Sequence, residues 1–174
     1  MKKIYVLLMQ TFTVPAQIIK VFTLYKYSHV GISLSSDCDI IYSFGRRKWN
    51  SILNSGFSME HKDGDFFKNF KDTTCRIYEV EVSDDQYKIV KDILEQMQEN
   101  QDYYKYDYFG LITRYFRIPF RVKNRYVCSY FVASVLKKAG IYDFSKEVFF
   151  VQPKDFEKIH IFKEIYTGKF LSYK

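Results

Sequence analysis

Two side chains in this sequence have the types and settings for nucleophilic chemistry. Cys128 stands where a helix should begin, because Phe131, Val132, Val135, Leu136 and Ala139 recur at three and four residues and form one apolar face. Lys137 and Lys138 fall in the last turn of that helix, and Gly140 suits the position just past its end. A cysteine at a helix N-terminus meets the positive end of the macrodipole and unpaired backbone N–H groups. Both favour thiolate over thiol, so a pKa below the free value of about 8.5 is expected for Cys128. A thiol nucleophile also needs a base, and His29 is the candidate.

His29 lies in a strand that alternates strictly from Ser28 to Ser35. Val30, Ile32 and Leu34 point one way, while His29, Gly31, Ser33 and Ser35 point the other. Gly31 leaves space beside the imidazole for another group to approach. The other histidines have poorer settings. His61 sits among Glu60, Lys62 and Asp63, and His160 lies between Ile159 and Ile161, facing away from both; each reads as an exposed side chain. Cys38 stands between Asp37 and Asp39, which disfavour a thiolate, and Cys75 opens a strand as a packing residue. The residues by themselves leave two readings open for the pair: a thiol–imidazole site, or a buried helix cysteine and an ordinary hydrogen-bonded histidine.

The elements around these residues follow from pattern. Residues 4–9 form a continuous apolar, central strand. Thr13 and Pro15 open a helix whose face is Val14, Ile18, Val21, Phe22 and Tyr25. After the His29 strand come a turn at 36–39 and a return strand, 40–45. Residues 49–74 are polar and irregular and read as a long loop, a lid or a cleft wall. A strand at 75–82 precedes a capping box at Ser83 and Gln86 and a helix to about Gln98, with Tyr87, Val90, Leu94 and Met97 on its face. An aromatic helix covers 106–116, Pro119 interrupts, and the Cys128 helix follows. Short strands are expected at 149–151 and 159–165.

The 174 residues suit one domain, 1–174, with a real core. A net charge of +7 draws the chain towards anions, and its cations cluster: Lys105, Arg114, Arg117, Arg121, Lys123 and Arg125 face a single acid, Asp107, between 105 and 125. That run reads either as a solvated face or as a basic rim leading into Cys128. Three cysteines at these spacings fit neither a disulfide framework nor a zinc site, so a reducing, cytoplasmic setting is expected. Neither a signal peptide nor a membrane span is read from the sequence. No phosphate loop, serine elbow, paired metal-ligand spacing or dinucleotide turn appears, so neither cofactor nor metal is expected. No nucleic-acid reader motif accompanies the charge.

The segment Ser28 to Leu34, the strand at 40–43, and Val127 to Val132 followed by Lys137 to Ile141 together resemble the circularly permuted NlpC-type papain-like cysteine hydrolases, the group that includes lecithin retinol acyltransferase-like proteins. In that group the histidine strand precedes the cysteine helix, as here. Tyr106 to Gly110 and Gln152 to Asp155 resemble the group's flanking segments, so the likeness covers roughly residues 4–158. The resemblance implies an α+β fold, an antiparallel, partly barrelled sheet packed against helices. It also implies Cys128 as nucleophile, His29 as base, and a thioester intermediate. The family's third, imidazole-orienting position falls on Tyr42, with Ser43 its neighbour. Tyr42 carries no charge to stabilise imidazolium, where many relatives have a stronger polar group.

These expectations describe a thiol hydrolase cleaving an amide, in a peptide or a cell-wall-derived fragment. The alternatives are a lipid esterase or acyltransferase, and a non-catalytic binding module on the same fold. The expected partner is a small-molecule, peptide or lipid substrate with anionic character, with peripheral membrane contact as the lipid variant.

Overall fold

The computed structural model describes residues 1–11, 25–48 and 51–174. It is a mixed α+β structure built on one eight-stranded sheet in the order β7-β6-β4-β3-β2-β1-β5-β8. The strands are β1 (Lys2–Gln10), β2 (His29–Ser33), β3 (Ile40–Lys48), β4 (Ser51–His61), β5 (Thr74–Val82), β6 (Lys105–Tyr106), β7 (Arg125–Tyr126) and β8 (Lys163–Lys169). Every pairing is antiparallel except β6 with β7. The sheet is open, with β7 and β8 as its edges, where a partial barrel was expected. Among the described residues the α-helices are α1 (Asp65–Asn69), α2 (Asp84–Glu99), α3 (Tyr108–Tyr115) and α4 (Cys128–Lys138).

The apolar run of β1 is central because both its faces are covered. Ile4, Val6 and Leu8 pack with Val30, Ile32, Val80 and the inner faces of α2 and α4. Tyr5, Leu7 and Met9 pack on the other side with Ile41, Ile77, Phe67 of α1 and Phe170. Helix α4 is held by aromatic contacts: Phe131 lies 5.1 Å from Phe44 and 5.7 Å from Phe57. Fully burying one such ring contributes about 1.5–3 kcal/mol. The helix ends as its residues require. Gly140 takes φ +63, and the N–H of Ile141 returns to the Leu136 carbonyl. At the start of α2, Ser83 and Gln86 form the expected capping box, and Val90, Leu94 and Met97 are buried.

Four expectations change. The 49–74 loop is largely ordered: β4 runs from Ser51 to His61 and pairs along β3, and α1 follows. A face of Gly, Ser and Glu hid the alternation, since those residues seldom mark a buried strand. Residues 148–150 form a 3-10 turn rather than a strand. The last strand starts at Lys163, after another 3-10 turn at 153–158. The aromatic helix begins at Tyr108, because Asp107 caps it and Tyr106 belongs to β6. The expected helix from Thr13 falls outside the described residues except for Tyr25, which is not helical.

Candidate active site

The site begins at the place where β2 and β3 hold only one register pair, Ile32 with Tyr42. Beyond that pair, Ser43 does what a ladder bond otherwise would: its Oγ donates to the Val30 carbonyl at 2.9 Å. The same Oγ lies 2.8 Å from His29 Nε2. A hydroxyl has one proton to give. With that proton on the Val30 carbonyl, His29 must donate through Nε2–H. The network therefore fixes the tautomer and leaves Nδ1 with the lone pair, as a base requires.

Cys128 is the first residue of α4. The preceding Val127 is extended and supplies no side-chain cap, so the first-turn N–H groups stay available. The thiol lies against the N–H groups of Val30, Ser129 and Cys128 itself. Cys128 is thus brought to β2 at the residue next to His29. No hydrogen bond joins the imidazole to the thiol among the described residues; the side chain bonded to His29 is Ser43.

The electrostatics differ from the expected low thiol pKa. Burial pushes the Cys128 thiol up to about 11, against the pull of the three N–H groups and the positive charge of Arg114. Burial also pushes His29 down to about 4. Desolvation outweighs the helix terminus, so the resting pair at neutral pH is thiol and imidazole, both uncharged. Cys38 and Cys75 are buried too, each pushed up to about 12. All three cysteines are free thiols.

Sequence reasoning missed Glu60. It is buried on β4 and accepts a hydrogen bond from Ser58 Oγ at 3.3 Å through Oε1, while Oε2 has no partner among the described residues. Burial pushes its carboxyl up to about 7, against the Ser58 hydrogen bond and the charge of Arg46. A Cβ placed on Gly45 would lie 3.4 Å from His29 Cε1 and 3.6 Å from Glu60 Oε1, so imidazole and carboxyl flank the same glycine. The alternation of Gly56, Ser58 and Glu60 with Phe57 and Met59 was the signal that could have revealed it. A cleft of about 590 Å³ runs past Ser58 and Glu60 to Arg47, Phe66 and Gln101; neither His29 nor Cys128 lines it.

The remaining sequence candidates fall as follows. Tyr42 turns its ring to the core side, stacked 6.3 Å from Phe57, and the residue that bonds His29 is Ser43. The space at Gly31 is taken by core packing: a Cβ there would meet Ile41 Cγ2 at 2.3 Å. His61 and His160 are exposed. The basic run is not a continuous rim, because Arg114 is interior. Its Nε donates to the Phe149 carbonyl at 2.8 Å and its Nη1 to Asp107 Oδ2 at 3.3 Å, over the Phe149 ring at 4.0 Å. Asp107 also caps α3 by accepting from the Gly110 N–H at 2.8 Å. Only glycine fits at 110, where a Cβ would stand 1.8 Å from Asp107 Oδ2. No group of three or more His, Cys, Asp or Glu among the described residues is placed to hold a metal ion.

No family model matches the chain. A search of curated proteins finds no match either. No helix among the described residues is long and apolar enough to cross a membrane.

Proposed function

We propose that the protein is a cysteine hydrolase of papain-like, permuted NlpC-type fold that cleaves a carbonyl substrate through a thioester on Cys128. The observation that carries this reading is the Cys128 thiol at an uncapped helix start, against the Val30 N–H, next in the chain to a histidine whose Nε2–H is held by Ser43. In the proposed reaction His29 Nδ1 takes up the Cys128 proton as sulfur attacks the carbonyl carbon. The backbone N–H of Cys128 donates to the developing oxyanion; one such donor is worth roughly 10²–10³ in rate. Nδ1–H then protonates the leaving nitrogen, and the thioester holds the acyl group. Nδ1 next takes a proton from water, which attacks the thioester and releases the carboxylic acid and the free thiol.

An amide in a peptide or cell-wall-derived fragment is the first substrate class. An acyl ester in a lipid is the second, favoured by the exposed apolar and cationic segment at 108–125. Turnover of panels of fluorogenic amides and acyl esters, in wild type, Cys128→Ser and His29→Ala, tests the reading. The account expects turnover of one panel that both variants abolish. Turnover surviving in Cys128→Ser would overturn it.

A further inference from the structure

The segment running into β7 presents apolar side chains to solvent in unusual density. Phe109 is 60% exposed, Ile112 59%, Phe116 66% and Ile118 53%, with Phe120 and Val122 also exposed. On α3, Phe109 and Ile112 share one helical face, continued by Phe116 at its C-terminal cap and turned away from the face that buries Arg114 and Thr113. Beyond α3, the apolar residues alternate with cations: Arg117, Arg121, Lys123 and Arg125 are all exposed. No acid occurs from Tyr108 to Arg125. Within this set, Arg121 pairs with Glu147. Tyr103, 72% exposed, and Tyr108 add amphipathic rings nearby.

A contiguous exposed apolar surface marks an interaction site. Its chemistry selects the occupant. Aromatic and branched side chains among arginines and lysines, with no carboxylate, match an interface that is apolar within and anionic at its surface. We propose that the segment 108–125 docks the protein on anionic lipid bilayers, with Phe109, Ile112, Phe116, Ile118 and Phe120 entering the headgroup and acyl boundary and Arg117, Lys123 and Arg125 meeting lipid phosphates. A protein groove would bury such a face against apolar residues but would leave its cations to be matched one by one; an anionic bilayer supplies a continuous counter-surface.

The test is co-sedimentation of the wild-type chain with phosphatidylglycerol vesicles and with phosphatidylcholine vesicles at low and high salt. Two variants are compared: Phe109→Ser with Ile112→Ser, and Arg117→Gln with Lys123→Gln. All four positions are exposed, and thermal melting checks that both variants fold. The proposal expects retention on phosphatidylglycerol that weakens with salt, at least tenfold weaker binding for the apolar variant, and about twenty-five-fold weaker binding for the charge variant, from roughly fivefold per cation. It is overturned if the wild type stays in the supernatant, if either variant binds as the wild type does, or if phosphatidylcholine retains the chain equally at high salt. Self-association lost in the apolar variant, without vesicle binding, would also overturn it and would mark the face as a contact between copies. The docking needs no turnover, so its failure leaves the Cys128 chemistry untouched, and failure of that chemistry leaves the docking intact.

Discussion

Ser43 Oγ stands 2.8 Å from His29 Nε2 while giving its own proton to the Val30 carbonyl. One hydroxyl thereby sets the tautomer of the imidazole and takes the place of a ladder bond between two strands. Removing it should act on both. Ser43→Ala is expected to lower kcat by up to roughly tenfold, the worth of one net hydrogen bond, and to change the pH profile because the ring loses its fixed tautomer. Ser43→Thr, which keeps the hydroxyl, should restore most of the rate. Parallel rate–pH curves for the wild type and Ser43→Ala would contradict the assignment.

The neutral thiol–imidazole pair predicts slow alkylation of Cys128 at pH 7. With the thiol pushed up to about 11, iodoacetamide labelling should rise roughly tenfold per pH unit from 8 to 10. Cys38 and Cys75, pushed up to about 12, should lag behind it. Peptide mapping after timed labelling reads all three. A plateau for Cys128 below pH 8 would mean that the helix terminus outweighs burial after all.

His29 and Glu60 should pull stability in opposite directions over one pH window. His29 is held near 4, below its unfolded value of about 6.5. The unfolded chain therefore binds the extra proton, and stability is lost as pH falls through that range. Glu60 is held near 7, above its unfolded value of about 4.5. The folded chain keeps that proton, so its contribution is lost as pH rises. Each amounts to at most about 3 kcal/mol, and in the wild type they largely cancel. Urea unfolding from pH 4 to 7 should be nearly flat for the wild type. It should slope upward with pH in Glu60→Gln and downward in His29→Gln. Equal slopes in all three would contradict this balance.

Asp107 and Arg114 form a buried ion pair that also caps α3. Removing either partner strands a buried charge, so Asp107→Ala and Arg114→Ala should each cost about 3–5 kcal/mol. Denaturant midpoints at pH 7 measure this. A loss below 1 kcal/mol in either would show that water already reaches the pair.

The fold was legible wherever burial and periodicity agreed. The alternation around His29, the apolar stripe of α4, the capping box at Ser83 and the burial of residues 4–9 in β1 all follow from residue type and spacing. Of the candidate site, the placement of Cys128 at a helix start and of His29 on a strand was legible, but the groups around them were not. Glu60 and Ser58 sit on the polar face of a strand whose other face carries Phe57 into the core, so hydrophobic pattern could not mark them. Tyr42 and Ser43 differ by one position, and in a strand that reverses the face; only the register with β2 selects Ser43. The charge state of Cys128 was not legible either, since the pull of a helix terminus is local and desolvation is set by the whole packed surroundings.

The central claim is a Cys128 thioester formed with His29 as base, and mass spectrometry of the chain quenched during reaction with a p-nitrophenyl acyl ester tests it most directly. The account predicts an acyl adduct on the peptide carrying Cys128, formed at least a hundredfold more slowly in His29→Ala and absent in Cys128→Ser. An adduct spread evenly over Cys38, Cys75 and Cys128, or one that forms on Cys128 as fast without His29, would contradict it.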